Sequence, residues 1–151
     1  MKITAINSYS TIFTYDEIEN FETSAFLIEK DKFYLIDTYC GPQSMQPILE
    51  VIKNSNPPKE VVVINTHFHW DHVWGNCSFA KSNIIAHELC RCKMDEVWES
   101  QIQRNEKYVM GEIVKQLPNI TFSEKLTFLQ EGIELFHSPG HTKDCISIFD
   151  H

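Results

Sequence analysis

Hydrophobic positions along the chain fall into short runs separated by turns, and this pattern predicts several strands and two helices. Residues 43–53 place their apolar positions on one side of a helix, and residues 88–116 are mostly good helix formers despite Gly111. The other apolar runs are short and bounded by turn residues, which is typical of strands. These predicted strands cover residues 2–6, 24–28, 33–36, 61–64, 83–86, 125–129, 132–137 and 145–149.

The order of these elements predicts an α+β fold. The early strands follow one another through short turns, so we expect an antiparallel meander. The strand, helix and strand across residues 33–64 indicate a crossover that packs a helix on a sheet. We find no repeat and no low-complexity segment, and residues 1–151 are therefore expected to form one domain.

A dense group of polar side chains follows the predicted strand at residues 61–64. It contains His67, His69, Asp71 and His72. His67 and His69 alternate and should face the same way, whereas Asp71 and His72 lie where a helix can begin and approach from a second direction. This arrangement suits two adjacent metal ions. Imidazole and carboxylate ligands without thiolate favour zinc, with iron or manganese as poorer matches.

Composition and charge narrow the classes of function. The chain is 42% hydrophobic and 12% aromatic, which is ample for a folded core. Its 13 basic and 21 acidic residues give a net charge of -8, and we see no basic patch, so nucleic acid is not expected as a partner. No signal-like or membrane-spanning run is visible, and the five cysteines lack framework spacing. We expect a soluble, cytoplasmic protein with free thiols and no membrane partner.

A second cluster lies between the last two predicted strands. Pro139 and Gly140 form a tight turn that can hold His141 at its tip, where it would supply a third nitrogen. Taken together, the two clusters resemble the metallo-β-lactamase superfamily, whose H-x-H-x-D-H motif is followed by a P-G-H-T turn. The apolar run at residues 33–36 followed by Asp37 and Thr38 is similar to the family's strand that ends in Asp-Thr.

The resemblance implies an αββα sandwich with metals at one edge, of which this chain would hold only the N-terminal part. His67, His69 and His141 match the ligands of the first metal. Asp71 and His72 match ligands of the second. The implied cofactor is one or two zinc ions.

The activity implied by the resemblance is that of a zinc-dependent hydrolase with a small-molecule substrate. Metal-bound hydroxide would attack an ester, thioester, lactone or lactam-like substrate. Asp71 is the candidate catalytic residue, since it could orient the nucleophile. Asp37 matches no ligand, and two roles stay open for it: a hydrogen-bonding partner behind the ligands, or a cap of the turn at the strand end.

The chain departs from the family pattern near its end. The family supplies a further bridging aspartate and a further histidine after the P-G-H-T turn, and neither Asp150 nor His151 is equated with them. A sandwich without its second half would expose an apolar sheet face and a strand edge, so a homo-oligomer that covers them is one expectation. Two alternative functions also stay open: a single-iron oxidoreductase of the same fold that acts on a sulfur compound, and a non-catalytic metal-binding fragment.

Other polar and aromatic residues are given structural roles. His87 is expected to cap the second helix or support the ligands, and His137 to lie at a strand edge. Cys90 and Cys92 should point to different sides of a helix, which argues against a metal site there. Two roles are equally favoured for the aromatic residues near the first cluster: they line a pocket or they pack in the core. These residues are Phe68, Trp70 and Trp74.

Overall fold

The computed structural model describes residues 1–151 and contains two β-sheets. The larger sheet has seven strands that lie side by side in chain order. They are β1 (Lys2–Ala5), β2 (Ser10–Ile18), β3 (Phe21–Glu29), β4 (Phe33–Ile36), β5 (Val61–Ile64), β6 (Asn83–His87) and β7 (Ile120–Phe122). The smaller sheet is antiparallel, with β9 at its centre. It consists of β8 (Lys125–Phe128), β9 (Ile133–His137) and β10 (Ile146–Asp150).

Three α-helices connect the strands of the larger sheet, and each adjoins a short 3₁₀ turn. Helix α1 (Gln46–Lys53) lies between β4 and β5 and follows a 3₁₀ turn at Pro42–Met45. The one-turn helix α2 (Trp70–Val73) continues into a 3₁₀ segment at Trp74–Phe79. The longest helix, α3 (Glu88–Asn105), follows β6 directly and ends in a 3₁₀ turn at Glu106–Tyr108. None of these helices is both long and apolar enough to cross a bilayer.

The predicted topology is confirmed in its main features. Strands β1 to β4 pair in an antiparallel meander, and β4 and β5 are parallel with α1 in the connection between them. Strands β4 and β5 have the predicted bounds because each is a short buried apolar run between turn residues. The α+β class is therefore as expected.

Two strands were not predicted, and one helix end was predicted wrongly. Strand β2 mixes threonines with aromatic and acidic residues, and its pairing with both β1 and β3 outweighs this weak local pattern. Strand β7 has three residues and pairs only with β6. The helix predicted at residues 88–116 ends at Asn105, because the backbone of Met110 instead pairs with Cys40 and Gln43, and Gly111 adopts a φ of 95°.

Alternating side chains of the larger sheet divide the core into layers. On one face, Leu35 and Val63 pack with Ile48 of α1. On the other face, Ile36 and Ile64 pack against the smaller sheet, and a third cluster lies beneath α3. The layers are therefore helices, large sheet and small sheet, and no α-helix follows Asn105 to form a fourth layer within residues 1–151.

Parallel pairing places several strand ends at one edge of the molecule. Asp37 follows β4, the segment 65–72 follows β5, and the turn between β9 and β10 reaches the same edge, where Ile146 N–H donates to the Thr66 carbonyl over 3.1 Å. This edge positions the candidate site. Strand β10 forms the outer edge of the smaller sheet, and self-association through it stays a prediction.

Candidate metal centre

Three histidine side chains from two separate loops converge at this edge. Nε2 of His67 lies 3.2 Å from Nδ1 of His69, and Nε2 of His141 lies 3.1 Å from that same Nδ1 atom. One ligand atom from each residue falls within 4.8 Å of the others. A tetrahedral zinc with bonds of about 2.0–2.1 Å needs nitrogens about 3.3 Å apart. The donor spacing therefore fits one zinc ion.

Lowered pKa values favour metal binding by two of these imidazoles. Burial is the main cause that lowers the pKa of His67 to about 4, and the charge of His72 adds to it. Burial also lowers the pKa of His69, against the opposing effect of Asp71. Both rings are therefore neutral at pH 7, which metal ligation requires.

A hydrogen-bonded chain orients the ring of His67. The hydroxyl of Thr66 lies 2.6 Å from Oδ2 of Asp37 and 3.0 Å from Nδ1 of His67. Since the carboxylate can only accept, Thr66 donates its proton to Asp37 and accepts the N–H of His67 Nδ1. The tautomer so selected leaves the lone pair on His67 Nε2, the atom that faces His69.

Asp71 and His72 lie beside the three histidines and contact each other. Nε2 of His72 lies 3.1 Å from Oδ2 of Asp71, and its ring centroid is 4.2 Å from that of His67. Burial opposes protonation of His72, but Asp37 and Asp71 outweigh it and raise its pKa to about 10. Burial likewise opposes ionisation of Asp71, whose pKa is nevertheless lowered by the hydrogen bond and charge of His72. Without metal, these side chains therefore form an ion pair.

Of the two roles that the sequence left open for Asp37, the structure shows the hydrogen-bonding partner and not the cap of the turn after β4. Its carboxylate is 4% exposed, accepts the N–H of His72 Nδ1 over 2.7 Å, and so lies behind that ring. It also accepts the backbone N–H of Thr66 over 2.8 Å, which ties the end of β4 to the end of β5. Its φ of 62° is a left-handed conformation that aspartate tolerates better than most residues.

The family model of the metallo-beta-lactamase superfamily matches residues 19–151. The chain belongs to this superfamily. Its α+β layers and its loops at one sheet edge are accordingly those of the metallo-beta-lactamase fold. A search of curated proteins gives no match.

Solved metallo-beta-lactamase structures share this fold at low sequence identity. The protein from Pontibacter korlensis is 21% identical, with a TM-score of 0.70 over 99% of this chain and 66% of that one. FIM-1 from Pseudomonas aeruginosa, in a mono-zinc form, is 19% identical, with a TM-score of 0.72 over 98% of this chain and 63% of that one. The protein from Hirschia baltica is 19% identical, with a TM-score of 0.70 over 99% and 66%. The chain thus spans slightly less than two thirds of their length.

Sequence reasoning missed one acidic residue at the site of this superfamily member. Asp144 is 3% exposed, and its Oδ2 atom accepts the backbone N–H of Phe68 over 2.9 Å. Phe68 separates His67 from His69, so this bond joins the two loops that carry the histidines. One feature of the sequence could have indicated Asp144: it is an acidic residue three positions after His141, in a loop otherwise built from turn residues.

A buried amide network beneath the candidate metal centre was also missed. Asn65 and Asn76 exchange two side-chain hydrogen bonds of 3.0 and 2.8 Å, and both residues are fully buried. The hydroxyl of Thr38 donates to Asn76 over 2.9 Å. The network joins the ends of β4 and β5 to the segment after α2, and it supports the loop that carries the histidines.

The remaining histidines have the structural roles that were predicted. His87 caps α3, since its Nδ1 atom accepts the N–H of Leu89 over 3.1 Å, while its Nε2 atom donates to the Ser123 carbonyl over 2.7 Å. His137 ends β9, and its ring stacks on that of His87 at 3.9 Å. Neither belongs to the group of converging nitrogens.

The structure also shows where the cysteines of α3 and the aromatic residues near the first cluster lie. Cys90 is buried and Cys92 is exposed, so they point to different sides of α3 as predicted. Trp74 is 1% exposed and packs in the core, whereas Phe68 lines a surface cavity of 310 Å³ beside α3. Trp70 is held between other rings: it stacks on Phe21 at 5.6 Å and on Tyr108 at 5.1 Å.

Proposed function

We propose that this chain carries the metal centre of a zinc-dependent hydrolase that acts on a small ester, thioester, lactone or lactam-like substrate. The observation that carries the proposal is the convergence of the His67, His69 and His141 nitrogens from two loops. Superfamily membership supports it, as does the mono-zinc form of FIM-1, a protein of the same fold. The proposal includes these three residues as ligands of the first metal.

The donor set favours zinc over iron. Three imidazoles with tetrahedral spacing form a common zinc site, whereas the single-iron alternative needs two histidines and a carboxylate. Asp71, the nearby carboxylate, forms an ion pair with His72 instead. A second zinc at Asp71 and His72 would displace the proton that these two side chains share, so its binding should be weaker at low pH.

The residues around the proposed metal have distinct chemical roles. Bound zinc supplies Lewis acidity, which polarises a carbonyl group and makes water more acidic. Asp71, which is 8% exposed and ionised, would orient the attacking water by accepting a hydrogen bond from it. His67 is buried, His69 half-buried and His141 exposed, so the substrate approaches from the side of His141.

The formal charge supports a small substrate over a polymer. The chain carries a net charge of -8, which disfavours approach of a phosphate backbone. A cytoplasmic location is part of this proposal, as it was expected from the sequence.

Metal analysis and turnover together test this function. Protein purified without added metal should contain zinc, and it should hydrolyse a chromogenic ester, thioester or lactam. His69→Ala should abolish both bound zinc and turnover, whereas His151→Ala, an exposed histidine outside the group, should retain them.

Other results would point to the alternatives. Iron in place of zinc would contradict the hydrolase and support the oxidoreductase. One loosely held metal with no turnover would support a non-catalytic metal-binding chain, and unchanged turnover in His69→Ala would remove the histidine cluster from the mechanism.

A further inference from the structure

Two hydrogen bonds join the loops that carry the three histidines. The first ligand loop (residues 65–69) holds His67 and His69, and the second ligand loop (residues 138–146, up to the first residue of β10) holds His141. Ile146 N–H donates to the Thr66 carbonyl over 3.1 Å, and Phe68 N–H donates to Oδ2 of Asp144 over 2.9 Å. These bonds lie one residue before and one residue after His67, and together they set the register of one loop against the other.

Only one of the two bonds depends on a side chain. The Thr66 bond is formed between backbone atoms, so any residue at that position can make it. The Phe68 bond requires an acceptor at the position of the Asp144 carboxylate. Apart from the contact between the rings of His69 and His141, no other hydrogen bond joins the two loops.

The environment of Asp144 is unusual for a carboxylate. It is 3% exposed, it accepts the Phe68 N–H, and the buried thiol of Cys90 is a neutral hydrogen-bonding neighbour. A carboxylate is costly to bury unless its hydrogen bonds or a nearby positive charge compensate. No lysine or arginine forms an ion pair with Asp144. A cation held by the adjacent histidines would supply the missing charge.

We propose that Asp144 is a positioning residue of the metal centre, which holds the first ligand loop against the second so that His67 and His69 meet His141. It acts through the backbone N–H of Phe68, and no hydrogen bond joins it to His67, His69 or His141. The proposal rests on the proposed metal centre but does not depend on hydrolysis. When the bond is lost, the loops spend less time in the arrangement that binds metal, and the apparent Kd rises in inverse proportion.

Three substitutions separate the hydrogen bond from the charge. Asp144→Ala removes the acceptor and should raise the Kd for zinc by about 10- to 100-fold, as is usual for groups that orient metal ligands. Asp144→Asn keeps an acceptor oxygen and should stay within about threefold of the native Kd. Asp144→Glu keeps the charge but displaces the acceptor, and its Kd should also rise. Asp31→Asn, at an exposed aspartate, is the matched control.

Zinc competition with a chromogenic chelator measures these Kd values, and the absorption of bound Co²⁺ reports on ligand geometry. If Asp144→Ala does not fold, Asp144→Glu and Asp144→Asn still decide the question. Equal losses in Asp144→Asn and Asp144→Ala would show that charge alone matters, and they would overturn the positioning role. An unchanged Kd in Asp144→Glu and Asp144→Ala would overturn it as well.

A double-mutant cycle with His141→Ala tests the mechanism directly. If Asp144 acts by aligning the loops, Asp144→Ala should change the Kd by less than about threefold once His141 is absent, because no third ligand remains to be aligned. Fully additive effects would overturn the proposal. If His141→Ala alone leaves the Kd unchanged, the metal centre itself is wrong, and this result is distinct from a failure of Asp144.

Discussion

Oδ2 of Asp37 lies 2.7 Å from Nδ1 of His72, and the same oxygen accepts the hydroxyl of Thr66 over 2.6 Å. Because Thr66 in turn contacts Nδ1 of His67, one carboxylate at the end of β4 orients two imidazole rings on the segment after β5. The two halves of the proposed metal centre therefore share a single anchor. A change at Asp37 should affect both.

Replacing Asp37 tests this shared anchor. Asp37→Asn puts an N–H₂ group against at least one of the donors that now face carboxylate oxygens, so one of the hydrogen bonds is lost. We expect the affinity for both metals to fall by about 10-fold or more, with the larger loss at Asp71 and His72. Titration with zinc in the presence of a competing chelator measures the two steps. Asp31→Asn is the control, and two unchanged binding steps would contradict the anchor role.

The raised pKa of His72 predicts how the metal-free protein responds to pH. Its folded pKa of about 10 lies above the value of 6.5 expected in the unfolded chain. The stabilisation is therefore fully present below pH 6.5 and is lost as pH rises from 6.5 to 10. The change should be at most about 5 kcal/mol in the free energy of unfolding.

Urea unfolding in EDTA at a series of pH values measures this effect. His72→Gln should lack the component between pH 6.5 and pH 10, so the difference between the two proteins isolates His72 from other titrating groups. Parallel curves for the native protein and the variant would show that the ion pairs of His72 do not stabilise the fold.

The stack of Trp70 on Tyr108 predicts a stability difference between two substitutions. The rings are 5.1 Å apart with an angle of 9°, and they join the proposed metal-binding segment to the 3₁₀ turn after α3. Tyr108→Leu should lower the free energy of unfolding by about 0.5–1.5 kcal/mol, whereas Tyr108→Phe keeps the stack and should be close to native. Chemical denaturation checks both. Equal losses would assign the effect to the hydroxyl group and not to the stack.

The cap formed by His87 predicts a further loss of stability. Its ring satisfies the N–H of Leu89 and the carbonyl of Ser123, and both would lose a partner in His87→Ala. We expect a loss of about 1–3 kcal/mol. His87→Asn can restore the cap and should recover part of this loss. A thermal unfolding series with His151→Ala as control measures these effects, and a Tm of His87→Ala equal to that of the control would contradict the role.

Local pattern was sufficient for much of the fold. The runs 33–36 and 61–64 are buried on both faces, so they read as continuous apolar strands, and their bounds agree with β4 and β5. The local pattern did not predict strand β2, because this strand is stabilised by its pairing with neighbours on both sides. The local pattern also predicted the end of α3 wrongly, because distant backbone partners at Cys40 and Gln43 compete with helical hydrogen bonds near Met110.

By itself, the sequence determined which side chains are available for chemistry and how those close in the chain are spaced. The alternation of His67 and His69 predicted that both face one way, and their rings do lie 4.8 Å apart, although residues 66–68 form bends and not a strand. Only the tertiary structure decided that His141 meets them, that Asp37 orients His72, and that Asp144 joins the two ligand loops. Those contacts span from 35 to 76 positions of the chain, so they depend on how strands pair and sheets pack, which no local pattern encodes.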